Sequence, residues 1–108
     1  MPDRLNFKFV TVEASETESE QFNLAGATLV GITFPANWDT QDVTFLAGDD
    51  DNIVLGLDGA ALSFSSIDAG WYLPLDPSIF AGIEKIKVVS GGAQSARCSL
   101  KLHFRSIS

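Results

Sequence analysis

The stretch Arg97-Cys98-Ser99-Leu100-Lys101-Leu102-His103-Phe104-Arg105 alternates polar and apolar residues without a break. A period of two places Cys98, Leu100, Leu102 and Phe104 on one side. Arg97, Ser99, Lys101, His103 and Arg105 fall on the other. A helix would scatter the four apolar side chains around its circumference, whereas a strand gathers them on one face. The stretch therefore reads as a half-buried strand, with a core on one side and a basic, polar surface on the other.

The same habit recurs in shorter pieces towards the N-terminus. Leu5, Phe7 and Phe9 alternate, after which the phase slips to Val10 and Val12, as a bulge would cause. Residues 28–34 form a β-rich run with Val30, Ile32 and Phe34 expected on one side. Residues 43–46, 53–55, 62–64 and 71–73 are shorter candidates, and 83–89 alternates loosely with Ile86 and Val88 inward and Lys85 and Lys87 outward. Between these runs lie turn-forming groups such as Ala25-Gly26, Gly48-Asp49-Asp50-Asp51-Asn52, Leu57-Asp58-Gly59, Asp68-Ala69-Gly70 and Ser90-Gly91-Gly92. Residues 76–82 read as one short helical turn stopped by Gly82, and no stretch offers a long amphipathic helix. Seven to nine short strands at this spacing predict an all-β fold of two packed antiparallel sheets, a β-sandwich or jelly roll. Without repeat or linker, residues 1–108 read as one domain.

Composition narrows the class. The chain has 108 residues, enough to bury roughly two-thirds of its unfolded surface. Its single cysteine, Cys98, rules out an internal disulfide and every multi-cysteine metal or redox motif. No apolar run approaches the ~20 residues that cross a bilayer, and the opening MPDRLNFKFV lacks the pattern of a secretory signal. The expectation is a chain folded in a reducing cytoplasm, without a membrane partner. The net charge of -7 argues against a nucleic-acid partner, because a grip on phosphate needs clustered lysine and arginine. The charge is also unevenly distributed. Between Phe9 and the strand beginning at Lys85 there is no Lys or Arg, while Lys85, Lys87, Arg97, Lys101 and Arg105 crowd the last quarter. Such asymmetry steers association between a basic face and an acidic one.

Catalytic chemistry finds little support. The one histidine, His103, lies on the polar face of its strand, where a solvated side chain is the simpler reading. Cys98 lies on the apolar face, where a thiol acts as a small hydrophobe. There is no nucleophile elbow, phosphate-binding loop or dinucleotide fingerprint, so the reading expects no enzyme, no catalytic residue and no cofactor. The run Asp49-Asp50-Asp51-Asn52 offers oxygen ligands for Ca²⁺, but consecutive acids diverge and the spacing of an EF-hand is absent, so no metal site is assigned. Phe7, Phe9, Phe22, Phe34, Phe45, Phe64 and Phe104 are most simply core. Trp38, in a loop, and Trp71 and Tyr72, at a strand start, suit either a subunit interface or stacking on a sugar ring.

Two blocks carry a resemblance. The run Leu29-Val30-Gly31-Ile32-Thr33-Phe34-Pro35-Ala36-Asn37-Trp38, followed by Val43-Thr44-Phe45, is one. The other is Leu75-Asp76-Pro77-Ser78-Ile79-Phe80-Ala81-Gly82, followed by Ile86-Lys87-Val88-Val89-Ser90-Gly91. With Arg97 and the closing strand, they resemble small virion proteins of tailed bacteriophages and prophages. The middle, from Gly48 to Gly59, departs from that pattern: it is acidic and lacks the tyrosine turn usual there. The resemblance implies a β-sandwich building block of a capsid, neck or tail, foremost a decoration (cement) protein of the head surface. Implied with it are a location in the virion after assembly in the host bacterial cytoplasm, the major capsid protein or another virion protein as partner, and a symmetric homo-oligomer, most simply a trimer. The expected interface residues are Trp38, Trp71, Tyr72, Arg97, Lys101 and Arg105. The alternatives are a carbohydrate-binding β-sandwich, with a glycan stacked on Trp38, Trp71 or Tyr72, or a tail or neck accessory protein.

Overall fold

A computed structural model describes residues 4–106. In chain order the elements are β1 (Arg4–Val12), β2 (Phe22–Asn23), β3 (Thr28–Thr33), β4 (Gln41–Ala47), β5 (Asn52–Ile53), β6 (Phe64–Ile67), β7 (Tyr72–Pro74), α1 (Pro77–Phe80), β8 (Lys85–Ser90) and β9 (Cys98–Ser106). The pairing has a simple logic. β1 pairs with β9, β2 with β8, β3 with β7 and β4 with β6, all antiparallel. The chain is thus one long hairpin folded back on itself, closed at β4 and β6. Rolling it up brings β3 against β9 and β4 against β8. The result is two antiparallel sheets, β1-β9-β3-β7 and β2-β8-β4, with β5 and β6 sharing the far edge of β4. This is jelly-roll connectivity, in which β5 is a small insertion.

The core lies between the sheets and follows the two-residue period. On β9, Cys98, Leu100 and Leu102 are fully buried, opposite Val12, Val10 and Lys8 of β1. The other sheet contributes Val43, Phe45, Ile86 and Val88, all essentially inaccessible. Burying a side chain of this size contributes roughly 1.5–3 kcal/mol. Between β7 and β8 the chain crosses one end of the sandwich through α1. Its start is capped by Asp76, whose carboxylate accepts from the Ser78 backbone N–H at 3.0 Å. Phe80 on α1 is fully buried and meets Phe45 edge-on at 5.2 Å, while the Thr28 hydroxyl donates to the Pro77 carbonyl at 2.7 Å.

Four sequence expectations are corrected. The phase slip in β1 is not a bulge, because its register with β9 runs unbroken from Arg4 opposite Ser106 to Val12 opposite Cys98. Phe7 and Phe9 instead lie on the outer face, 54% and 57% exposed, so they are not core. The apolar residues change face because β1 outlasts the sandwich: Lys8, on the inward side, is already exposed. The bulge is in β3, where the register shifts between Leu29 and Gly31. That shift lets Leu29 and Ile32 both point inward and leaves Val30 half-buried, against the expected Val30, Ile32, Phe34 series. Trp38 is also core: it is 3% exposed, packs on Phe34 at 4.8 Å, and donates its indole N–H to the Ile67 carbonyl at 3.1 Å.

One buried polar side chain fastens the loops at the opposite end. Gln94, 1% exposed, accepts from the Asp39 backbone N–H through Oε1 at 2.8 Å and donates through Nε2 to the Ser90 hydroxyl at 3.0 Å. Its backbone accepts from Ser15 at 2.7 Å and donates to Glu16 at 3.1 Å. Four chain segments meet at this residue, and its bond to the Ser90 hydroxyl is buried. Gln94→Ala strips the Asp39 N–H of its partner, so the variant is expected to lose roughly 1–3 kcal/mol in urea melts. Unchanged stability would mean that the Asp39 amide finds another partner.

Candidate functional site

The outer face of the β1-β9-β3-β7 sheet is where chemistry-bearing side chains converge. Strand register sets its rows. One rung runs Phe9, Lys101, Thr33, Tyr72, and the next Phe7, His103, Gly31, Pro74. Residues directly opposite one another on one face are close enough for their side chains to touch. Reaching diagonally from one rung to the next, Lys101 places Nζ 4.1 Å from the centre of the Phe7 ring, a cation–π contact, and Phe7 meets Phe9 edge-on at 6.0 Å. Tyr72 meets His103 edge-on at 5.3 Å, and His103 Nε2 is hydrogen-bonded to the Thr33 hydroxyl at 2.8 Å.

Gly31 has a steric role in this face. A Cβ there would overlap the Tyr72 ring and hydroxyl. The absence of a side chain lets Tyr72 lie across β3 and reach His103. The ring is thereby held flat on the sheet, half-exposed at 52%.

The electrostatics of the face are one-sided. None of β1, β3, β7 and β9 contains an Asp or Glu, although the chain has fourteen acids. The same four strands hold Arg4, Lys8, Lys101 and Arg105, four of the seven basic residues, of which Lys101 and Arg105 lie on the outer face and Lys8 on the inward side. The other three are paired. Lys85 contacts Asp49 at 3.0 Å, Lys87 contacts Asp51 at 3.1 Å and Glu18 at 3.4 Å, and Arg97 contacts Glu13 at 3.6 Å. Hydrogen bonding to Asp49 raises the Lys85 pKa, and hydrogen bonding to Asp51 raises that of Lys87. Among the described residues, Lys101 and Arg105 have no carboxylate within ion-pair distance. Burial, reinforced by the positive charge of Lys101, lowers the pKa of His103 below its ordinary value.

Among the sequence-expected interface residues, Tyr72, Lys101 and Arg105 share this face. Trp71, 50% exposed, stands at the entry to β7, where its carbonyl accepts from the Phe34 N–H at 2.9 Å. Arg97 sits at the entry to β9 and is engaged by Glu13. Trp38 is removed from the surface altogether. Sequence reading missed Phe7, Phe9, Thr33 and Gly31 as parts of the face and took His103 for a solvated residue. One signal was present: Phe7 and Phe9 flank Lys8 in strict alternation, so they share a face opposite a charge.

Elsewhere the chemistry is sparse. Burial raises the Cys98 thiol pKa, and Sγ rests 3.3 Å from the Ala96 carbonyl oxygen, where it is unsuited to attack. A depression of about 370 Å³ between residues 25–27 and 82–84 offers Glu84 as its one ionisable side chain. Asp49 and Asp51 of the acidic run are both held by lysines of β8. The face can therefore bind by charge and aromatic contact, and it presents no assembled set of reacting groups.

No family model and no curated protein matches the chain. Among solved structures, the crystal structure of the SPBc2 prophage-derived protein YomS is similar, with a TM-score of 0.56 and 15% sequence identity. The match covers 95% of this chain and 96% of that one. At that identity the likeness shows the fold, a β-sandwich shared along its whole length.

The histidine supplies a test of the face. With its folded pKa below 6.5, His103 binds fewer protons folded than unfolded. Stability is therefore full above that value and falls as pH drops through it. NMR titration of the imidazole should give a midpoint below 6.5, and His103→Gln should lessen the loss of stability between about pH 7 and about pH 5. A midpoint at or above 6.5 would contradict the burial of the ring beside Lys101.

Proposed function

We propose that this protein is a non-enzymatic structural component of a phage virion. Its specific role is decoration: a cement protein that binds the head surface and stabilises it, acting as a symmetric oligomer, a trimer in the simplest case. The observation that carries the reading is the acid-free outer face of the β1-β9-β3-β7 sheet, with Phe7, Phe9 and Tyr72 exposed beside Lys101 and Arg105. A protein that works by surface complementarity needs a face of this kind and no pocket. Cations with no carboxylate partner among the described residues attract an acidic surface and steer it into register, and exposed aromatics supply the contact area. The sequence blocks at residues 29–45 and 75–91 and the fold shared with a prophage-derived protein support the phage context.

A second reading is a carbohydrate-binding module, favoured by half-exposed Trp71 beside Tyr72. Because Trp38 is buried, any sugar-dependent change in tryptophan emission would report on Trp71. A blue shift with a glycan and none with phage heads would favour this alternative.

The primary reading is tested by co-sedimentation with empty heads of the phage or prophage that encodes the chain. The Lys101→Glu, Arg105→Glu double variant should bind at least about tenfold more weakly than the parent, since two steering charges are reversed. Full incorporation of the folded variant would overturn the assignment of this face.

A further inference from the structure

The opposite side of the sandwich carries a second patch whose character mirrors the first. Beyond β4 the chain forms a tight projecting hairpin. Val54 anchors it by donating to the Phe45 carbonyl at 3.1 Å, Leu62 donates back to Val54 at 2.9 Å, and Gly56 donates to Ala60 at 2.7 Å. Leu55 and Ala61 form a bridge, and the Asp58 carboxylate accepts from the Ala60 N–H at 3.0 Å, so the tip is ordered by its own hydrogen bonds. This ordered tip exposes Ile53, Leu55 and Leu57 by 61%, 53% and 79%. Water gains nothing from three branched apolar side chains held out in this way. Asp50 and Asp58 flank them in the chain, while Asp49 and Asp51 are engaged by Lys85 and Lys87.

We infer that the outer face of the β1-β9-β3-β7 sheet receives the Ile53-Leu55-Leu57 hairpin of a second copy of this chain, in a head-to-tail contact. The inference rests on the reading of that face as a docking surface and assigns it to a second copy rather than to the head itself, so the charge reversal weakens head binding through loss of the oligomer. Both patches match in two respects. The tip is apolar and acidic; the face is aromatic, basic and free of acids. They belong to different sheets, so one chain cannot satisfy its own pair. The contact is heterologous: each copy offers a different patch to each neighbour, so three copies close into a ring if the rotation fits and extend into a filament if it does not.

Complementation between two half-disabled variants tests this directly. One variant, Lys101→Glu with Arg105→Glu, disables the face and keeps the tip. The other, Ile53→Ser with Leu57→Ser, disables the tip and keeps the face. All four positions lie on outer surfaces, and circular dichroism and thermal melts confirm folding. The mass of each is followed by light scattering or sedimentation from about 1 μM to about 1 mM, the span from firm to weak association. The parent chain should form oligomers that loosen in high salt, and each variant alone should stay at the monomer mass of 11.6 kDa. An equimolar mixture of the two variants should double that mass, because one live face meets one live tip. A monomeric parent at the highest concentration, an oligomer retained by either variant, or a mixture that remains monomeric would each overturn the inference. Binding to phage heads is a separate measurement. A monomer that still binds heads through Lys101 and Arg105 would refute the head-to-tail contact and leave the virion role standing. A head-to-tail oligomer that ignores heads would do the reverse.

Discussion

The two-residue period of β9 is the constraint on which the rest depends. β9 lies between β1 and β3, so each of its side chains is committed to one of two environments. Cys98, Leu100 and Leu102 enter the core, while Lys101, His103 and Arg105 face outward. A slip of one residue against either neighbour would carry the cations into the core and the leucines into water. Burying an unpaired ammonium costs far more than any single leucine contributes, so only one register is tolerable. The same physical rule that fixes the core therefore also draws the basic face.

Among the described residues, that face is stabilised without ion pairs. The ion pairs observed lie elsewhere, mainly between β8 and the acidic run 49–51, and their exposure limits each to a small contribution. On the face itself, Lys101 is held by the Phe7 ring, and His103 by Thr33 and Tyr72. Aromatic rings can hold a cation in place without cancelling its charge, so its field still extends into the solvent. The acids are moved to the other sheet and the loops, which gives a domain of strongly negative total charge one surface of opposite sign.

Much of the architecture was legible in the chain. The alternation in residues 97–105 identified β9 and both of its faces, and the turn groups separated most of the strands correctly. The failures share one cause: a single sequence shows period but not where a sheet ends or which strand lies alongside. Phe7 and Phe9 look like core residues until β1 is seen to run past the sandwich. Val30 looks buried until the bulge shifts it. Trp38 sits among loop residues, and its burial depends on Phe34 and on an acceptor at Ile67, far along the chain. Gln94 carries no local signal at all, because its partners come from three other segments. The face as a unit was hidden for the same reason, since its absence of acids is a property of four strands that only the roll-up makes adjacent.

The rolled-hairpin pairing also determines when the face comes into existence. β4 and β6 are near neighbours in the chain and meet at little entropic cost, whereas β1 and β9 come from its two extremes and must close the longest loop. Folds dominated by such distant contacts form slowly. Lys101 and Phe7 acquire their shared geometry only once that closure is made. A chain in which β1 and β9 have not yet paired thus cannot present the surface.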